Sequence, residues 1–178
     1  MILPIIYRRL YNVHKFMQIY IYFGVFFIIL VGFAVAGPLG APWVPAFKKD
    51  LKKVIKDSRL KSGDVFYELG CGDGRFVAEA AKMGATAIGY EINPLMWFIA
   101  WLRNYKYKSA HVYLGNFWSC DLSDADVVMT FLTPRFMEKL ESKLDSELKP
   151  GTKFVSYIFK LPIRKPIIKR HHWFVYEF

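Results

Sequence analysis

The chain has 178 residues, a formal net charge of +10 and two cysteines, Cys71 and Cys120. This length accommodates one domain with a sizeable core, and two cysteines exclude a disulfide framework and favour a reducing compartment. The charge lies at the chain ends, because residues 1–60 hold nine Lys/Arg against two Asp/Glu and residues 160–178 five against one, whereas residues 61–159 hold eleven against twelve.

The N-terminal sequence adds a membrane signature to this basic excess, which suits an anionic lipid surface better than a nucleic-acid groove. Residues 17–36 (MQIYIYFGVFFIILVGFAVA) are twenty residues without a formal charge, enough to span roughly 30 Å as a helix. We expect a transmembrane anchor there, with a cleaved signal sequence and a buried or interfacial helix as alternatives. Residues 1–16 form a short basic and amphipathic N-terminus that can lie along the membrane surface. More lysines follow the anchor than precede it, so the positive-inside rule predicts a single-pass membrane protein whose remaining chain faces the cytoplasm.

The rest of the chain divides into a linker and one domain. Residues 37–59 comprise a Pro/Gly-rich break, GPLGAPWVP, and an amphipathic helix from residue 46. Residues 60–178 form the domain, in which strands are predicted over 64–69, 86–90, 111–114, 127–131 and 154–159, with two more after residue 165, and helices over 75–83, 93–107 and 133–148. This alternation predicts a Rossmann-like, doubly wound and mostly parallel sheet with helices on both faces. The predicted fold class is α/β, preceded by an N-terminal transmembrane helix.

A glycine-rich turn follows the first predicted strand, in the sequence YELGCGDGR of residues 67–75. Glycines let the backbone approach a ligand, and in such a sheet ligands bind at the carboxyl ends of strands. A dinucleotide site would use G-x-G-x-x-G, but here the spacing is G-x-G-x-G and Arg75 stands where the third glycine would fall. Glu68, just before the first glycine, suits a cationic ligand better than a pyrophosphate.

The pattern E-x-G-x-G-x-G, with an acidic residue at the end of the next strand, resembles class I S-adenosylmethionine methyltransferases over residues 60–160. This resemblance implies that the cofactor is S-adenosyl-L-methionine, that Glu68 orders the loop and favours the cofactor's ammonium group, and that Glu91 accepts both ribose hydroxyls. Taken singly, Glu91 could instead cap a helix, and Asn116 could be a turn residue. The implied cofactor-binding residues are Glu68, Gly70, Cys71, Gly72, Gly74 and Glu91, with Ile92, Asn116 and Phe117 around the adenine.

The segment after the fourth predicted strand indicates the methyl acceptor. Its sequence FLTP (residues 131–134) departs from the Asn/Asp-Pro-Pro-Tyr pattern of amide- and adenine-methylating enzymes. Together with PWVP (42–45), GCGDGR (70–75), GYEINP (89–94) and VSYIFKLP (155–162), it resembles a small family of membrane-associated protein lysine methyltransferases. The mitochondrial members modify the adenine nucleotide translocase and the c-subunit of ATP synthase, and they carry an N-terminal hydrophobic segment. The resemblance implies methyl transfer to the ε-amine of lysine in a membrane-associated protein.

Three residues are the candidates for catalysis at the acceptor. Thr133 and Tyr157 could orient the amine through their hydroxyls, and Trp43 could form a wall of the acceptor channel. Phe131 and Phe159 are further wall candidates, although aromatic residues at these positions equally suit a plain core. No general base is evident in the sequence.

Two other functions remain open on these residues. An RNA methyltransferase could hold phosphates with its basic chain ends, and a non-catalytic S-adenosylmethionine-binding membrane scaffold could assemble through its anchor. The expected partners are a protein that presents a lysine and the lipid bilayer, through residues 17–36, with no nucleic acid. No metal is expected, since His111, His171 and His172 lack ligand-like partners.

Overall fold

The computed structural model describes residues 14–27, 30 and 44–178. The helices are α1 (14–27), α2 (Leu51–Asp57), α3 (Arg75–Lys82), α4 (Pro94–Asn104) and α5 (Met137–Glu147). The strands are β1 (Val65–Leu69), β2 (Thr86–Glu91), β3 (Ala110–Leu114), β4 (Val127–Thr130), β5 (Lys153–Tyr157), β6 (Ile168–Lys169) and β7 (Trp173–Glu177). Short 3₁₀ helices cover Phe117–Ser119 and Pro134–Phe136.

The seven strands form one sheet in the order β3-β2-β1-β4-β5-β7-β6. All pairings among β1 to β5 are parallel, while β7 runs antiparallel to both β5 and β6. The prediction of a mostly parallel α/β sheet is therefore confirmed. The parallel strands β1 to β5 all end on the same side of the sheet, which we call the carboxyl edge.

Apolar residues alternate along the strands and form a core on each face of the sheet. On β1, Phe66 packs in one cluster with residues of α2 and α3, whereas Tyr67 and Leu69 pack in a second cluster with residues of α5. Phe66 and Leu69 are completely buried. Because neighbouring residues of a strand point to opposite faces, β1 anchors both layers of helices.

Two helices begin several residues later than the sequence predicts. The helix expected from residue 46 is confined to Leu51–Asp57, and the Asp50 carboxylate before it accepts from the hydroxyl of Tyr157 and does not cap the helix. The helix expected from residue 133 begins as the 3₁₀ turn Pro134–Phe136 and becomes α-helical at Met137. Such tighter turns are common at helix N-termini.

The predicted transmembrane anchor is the part of the prediction that fails. Within residues 14–27, 30 and 44–178, no helix has the length and apolarity that crossing a bilayer requires. The predicted single-pass membrane localisation is therefore wrong, and the bilayer contact through residues 17–36 has no support. Residues 1–13, 28–29 and 31–43 of the predicted N-terminal segments lie outside the described residues.

Candidate functional site

The predicted site residues that the structure describes lie along the carboxyl edge. The glycine loop, residues 70–74, follows β1, Glu91 ends β2, Asn116 follows β3, Thr133 follows β4, and Tyr157 ends β5. Open α/β sheets bind their ligands outside this edge. The fold therefore gathers residues that follow or end five strands at one ligand-binding edge.

The glycine loop has a backbone that favours glycine. Gly70, Gly72 and Gly74 have φ angles of 76°, 55° and 70°, in the left-handed region that residues with a Cβ rarely adopt. A Cβ on Gly70 would meet only Leu132 Cδ2, at 3.8 Å. The space beside Gly70 is therefore open to a ligand.

Gly74 has a second reason to lack a side chain. A Cβ there would lie 2.5 Å from Asn104 Nδ2 and 2.9 Å from Ala100 Cβ. Asn104, which is buried in α4, donates hydrogen bonds from Nδ2 to the carbonyls of Gly74 and Ala100 at 3.0 and 2.8 Å. This glycine therefore serves the packing of the loop on α4.

Cys71 contributes its amide and its volume to the loop. The amides of Gly70 and Cys71 donate to the carbonyl of Tyr90 at 3.0 and 2.9 Å, which holds the loop against the end of β2. The Cys71 side chain is buried, and its sulfur would lie 2.9 Å from a Cβ on Gly89. Burial raises the pKa of the Cys71 thiol well above its ordinary value. Cys71 is therefore an unreactive packing residue.

Glu91 joins the loop to the start of α4. Its Oε2 accepts a hydrogen bond from the amide of Gly72 and its Oε1 one from the amide of Asn93, both at 2.8 Å. Asn93 in turn caps α4 by accepting from the amides of Leu95 and Met96. Burial raises the pKa of Glu91, although the two amides partly offset this effect. The carboxylate thus stands fixed at the end of β2.

Glu68 lies behind the loop, where its carboxylate is hidden from water. The residue is 7% exposed, and its Oε2 accepts from the amide of Val77 at 3.2 Å. Burial raises the pKa of Glu68 well above its ordinary value. A cation placed near this carboxyl would favour its ionised form.

The turn after β3 lies beside Glu91. The amide of Gly115 donates to the carbonyl of Glu91 at 2.9 Å. Asn116 is exposed, and its Oδ1 accepts from the amide of Trp118 at 3.1 Å, so it caps the 3₁₀ helix that follows. Phe117 and Ile92 are half-buried. The structure therefore brings all three predicted adenine contacts to the end of β2 or β3.

An ion-pair network that the sequence did not reveal holds the glycine loop through Asp73. Asp73 accepts from Arg75 Nε at 2.8 Å and Nη2 at 2.6 Å, and from Arg103 Nη2 at 2.9 Å. Burial alone would raise the pKa of Asp73, but the hydrogen bonds and charges of the two guanidinium groups outweigh it and hold this pKa below its ordinary value. Arg75 Nη1 also donates to the carbonyl of Ala46 at 2.6 Å. The network therefore connects the glycine loop to the segment before α2.

Tyr157 is at the opposite end of the edge and is almost completely buried. Its hydroxyl donates to Asp50 Oδ2 at 2.7 Å and accepts from the amide of Phe47 at 3.3 Å. Its ring meets the edge of Phe131, with centroids 5.1 Å apart. Burial, together with Asp50, raises the pKa of Tyr157 to about 12. The hydroxyl is therefore a neutral donor that is engaged by Asp50.

Asp50 and His172 complete this cluster, and the sequence did not reveal them either. Asp50 is 4% exposed, and its Oδ2 lies 2.7 Å from His172 Nδ1. Burial opposes the charge of Asp50, but hydrogen bonds from Tyr157 and His172 lower its pKa. The next residue after Tyr157, Ile158, has φ of 72° and donates its amide to the carbonyl of His172 at 2.6 Å. A β-branched residue in this region is a strained outlier.

The remaining candidates are Thr133 and Trp43. Thr133 Oγ1 is buried and has no hydrogen-bond partner within the described part of the chain, so its capacity to accept and donate is unused there. Trp43 lies outside the described residues and stays a prediction. Among the described residues, no group of three or more His, Cys, Asp or Glu side chains is placed to hold a metal ion.

Comparison with known proteins finds relatives of this chain. Residues 68–168 match the ANTKMT methyltransferase domain. The human lysine N-methyltransferase named for the c-subunit of ATP synthase is 38% identical over 125 residues, which are 68% of this chain and 53% of that protein. A protein-lysine N-methyltransferase of Saccharolobus islandicus is 38% identical over 125 residues, which are 67% of this chain and 78% of that protein. The chain thus spans about half the length of the human relative.

A solved structure shares both fold and sequence with this chain. It is an RNA methyltransferase from Salinibacter ruber in complex with S-adenosyl-L-homocysteine, with a TM-score of 0.69 and 31% sequence identity. The match covers 75% of this chain and 92% of that one.

Proposed function

Because the chain belongs to the family of the ANTKMT methyltransferase domain, we propose that it transfers methyl groups from S-adenosylmethionine to the ε-amine of lysine in a protein. Two relatives at 38% identity are named as lysine N-methyltransferases. The observation that carries the proposal is the Glu91 carboxylate, which the amides of Gly72 and Asn93 fix at the end of β2. We assign this activity to the domain of residues 60–178.

The residues of the carboxyl edge fit the cofactor. Each oxygen of Glu91 accepts one amide hydrogen and keeps a further lone pair, so the carboxylate can still accept both ribose hydroxyls. Glu68 gains from a nearby ammonium group, because burial otherwise disfavours its charge. We therefore assign Glu68 and the loop residues Gly70, Cys71, Gly72 and Gly74 to the methionine part, Glu91 to the ribose, and Ile92, Asn116 and Phe117 to the adenine.

The chain's own residues prepare the acceptor amine. When bound, S-adenosylmethionine supplies a methyl group on a positively charged sulfonium. A lysine with a pKa of about 10.4 is protonated at neutral pH, and only its neutral form is nucleophilic. The rings of Phe131 and Tyr157 offer an apolar wall that disfavours the charged ammonium. Thr133 Oγ1 can accept a hydrogen of the neutral amine and so direct its lone pair.

We assign Tyr157 to the acceptor wall together with Trp43, and Thr133 to amine orientation. The hydroxyl of Tyr157 is engaged by Asp50 and the residue is almost completely buried, so its ring shapes the acceptor wall by packing behind the half-buried Phe131. Fixed alignment of the amine lowers the entropic part of the barrier.

A second candidate is methylation of RNA, which the name of the Salinibacter ruber structure favours. An enzyme of this kind would bind RNA with an affinity that falls steeply as salt rises. A scaffold that binds S-adenosylmethionine without catalysis is the third candidate.

Labelling with tritiated-methyl S-adenosylmethionine separates the three candidates. The purified chain is incubated with an extract that contains both protein and RNA, and Glu91→Ala protein serves as the blank. We expect radioactivity in methyl-lysine after hydrolysis of the protein fraction. Radioactivity in nucleosides alone would move the assignment to RNA, and binding of the cofactor without transfer would leave only the scaffold.

A further inference from the structure

Four exposed lysines lie at the carboxyl edge, beside the proposed acceptor site. They come from the segment before α2, from the turn after β5 and from β6. None of them has an ion-pair partner among the described residues, whose salt bridges all involve other groups. We call this set the basic rim: Lys48, Lys49, Lys160 and Lys169.

Contacts near the end of β5 locate three of the four lysines: Lys49 lies by Phe47, Lys169 pairs with Phe174 of β7, and Lys160 Nζ lies 5.4 Å from the Phe174 ring centroid. Tyr157, the last residue of β5, pairs with Trp173 of β7, so the turn before β7 lies at the carboxyl edge. His172 of that turn packs against Phe47 in a tilted arrangement, with ring centroids 5.0 Å apart. Lys49 Nζ lies 5.5 Å from the centroid of the Phe47 ring. The segment before α2 and the turn before β7 therefore meet next to Tyr157.

The acidic residues of these segments do not neutralise the rim. Residues 44–59 contain two, Asp50 and Asp57, and residues 158–172 contain none. Asp50 is 4% exposed and faces buried partners. Asp57 is paired with Arg170, whose Nε lies 2.8 Å from its Oδ2. The charge that this part of the edge presents to solvent is therefore positive.

A positive rim beside an acceptor site favours negatively charged partners, because complementary charge speeds encounter and selects orientation. A nucleic-acid track would extend as a basic stripe across the domain, but residues 61–159 hold eleven Lys/Arg against twelve Asp/Glu. The charge distribution thus favours a local acidic contact over a long phosphate backbone.

We propose that the basic rim binds an acidic segment of the substrate protein close to the lysine that is methylated. This inference rests on the proposed function and adds a substrate preference to it. The rim acts on binding of the acceptor, so the affinity for S-adenosylmethionine is independent of it.

The test uses two peptide libraries with a fixed central lysine, flanked by glutamate in one and by glutamine in the other. The wild-type chain should show a KM for the glutamate library that is roughly tenfold lower at low salt, a difference that screening removes at high salt. The variant Lys49→Glu/Lys169→Glu should lose this preference. Its affinity for S-adenosylmethionine, measured by calorimetry, should be unchanged.

A matched control reverses the charge of two lysines on the opposite edge of the sheet. Lys61 and Lys108 are exposed and precede β1 and β3, so Lys61→Glu/Lys108→Glu changes the net charge equally and should keep the preference for glutamate. An equal loss in this control would show that net charge, not the rim, sets the preference.

The outcomes separate the rim from the function on which it rests. Equal KM values for both libraries with the wild-type chain would contradict the proposal that the basic rim binds an acidic segment, but they would leave the proposal of lysine methylation intact. This comparison uses only the wild-type chain, so it does not depend on whether a variant folds. Methylation of RNA with no methylation of either library would overturn both.

Discussion

The two halves of the carboxyl edge are built in different ways. We call one half, formed by β1 to β3 and the glycine loop, the cofactor half. Its hydrogen bonds join residues that are close in the sequence: Glu91 and Gly72 are 19 residues apart, and Arg103 and Asp73 are 30 apart. We call the other half, formed by residues 44–50 with β4, β5 and β7, the acceptor half. There Asp50 contacts Tyr157 and His172, which are 107 and 122 residues away in the sequence. The cofactor half is held together by segments that are close in the sequence. The acceptor half is held together by segments from opposite ends of the described stretch 44–178.

This difference matches the two tasks that we propose for the site. Short loops hold the cofactor half together at a small entropic cost, and its hydrogen bonds are largely internal to β1, β2 and α4. The acceptor half depends on a segment that can change without disturbing the glycine loop, apart from the contact of Arg75 with Ala46. We therefore expect substitutions in the first half to change cofactor affinity, and those in the second to change acceptor use.

The largest effect is expected from Glu91→Ala. Two hydrogen bonds from backbone amides and two to the ribose would be lost, and hydrogen bonds to a charged group are worth about 1.5–3 kcal/mol each. The affinity for S-adenosylmethionine should fall at least about a hundredfold. Calorimetry measures it, with Glu91→Gln, which keeps one accepting oxygen, as the intermediate case. Unchanged binding by the alanine variant would remove the assignment of Glu91.

Gly74→Ala should destabilise the cofactor half as a whole. Left-handed strain and overpacking each cost about 1–3 kcal/mol, so we expect the free energy of unfolding to fall by roughly 2–6 kcal/mol in a urea titration. Gly63→Ala is the control, because Gly63 has φ of 90° and nothing within 4 Å of a Cβ. An equal loss of unfolding free energy in both variants would mean that the clash with α4 does not contribute to the destabilisation by Gly74→Ala.

Asp50→Ala tests the acceptor half. It leaves the buried hydroxyl of Tyr157 without its acceptor, which should cost about 1–3 kcal/mol of unfolding free energy. The KM for a lysine substrate should rise while the affinity for S-adenosylmethionine holds.

The control for this change is a double-mutant cycle. In a Tyr157→Phe background, Asp50→Ala should cost less than in the wild type, since residues in contact are coupled, and Asp50→Asn should retain most of the wild-type behaviour. Fully additive losses would show that Asp50 does not act through Tyr157.

Acidification should weaken the cofactor half selectively. Burial raises the pKa of both Glu68 and Glu91, so each carboxyl is neutral below its raised pKa. A proton must be released before Glu68 can favour an ammonium group and before Glu91 can accept both ribose hydroxyls. Affinity for S-adenosylmethionine should therefore fall as pH falls, by up to about tenfold per pH unit for each coupled proton. Calorimetry in buffers of different ionisation enthalpy would detect the released proton. Tighter binding at acid pH would reverse the assigned roles.

The smallest effect is expected from Arg170→Ala. The pair with Asp57 is surface-exposed on the Arg170 side, whose side chain is 53% accessible, and pairs of this kind contribute little. Urea titration should resolve no change from the wild type. A clear loss would mean that the turn before β7 depends on this contact more than its exposure suggests.

The cofactor half was readable from the sequence because its contacts are local. The glycine spacing, Glu91 at the strand end and Asn93 at a helix start are all patterns within about thirty residues. Asp50 and His172 could not be paired in this way, since nothing near either of them indicates a partner more than 100 residues away. Only the contacts of Phe47 and Asp50 with Tyr157, together with the pairing of β7 with β5, bring them together.

The anchor prediction failed for a different reason. Hydropathy reports the apolar character of residues 17–36, but a span also requires one helix of sufficient length. Within the part of the chain that the structure describes, no helix combines the length and apolarity of a span. Arg103, in contrast, was hidden because a basic residue on a helix is usually solvated, and only the tertiary position of α4 brings it to Asp73.

A crystal structure of the chain with S-adenosylhomocysteine and a lysine peptide would test the division of the edge most directly. We predict ribose hydroxyls on the Glu91 carboxylate and the lysine side chain against Phe131 and Tyr157, with its nitrogen at Thr133 Oγ1. A nucleoside bound away from Glu91, or a lysine that approaches from the β3 side, would contradict the account.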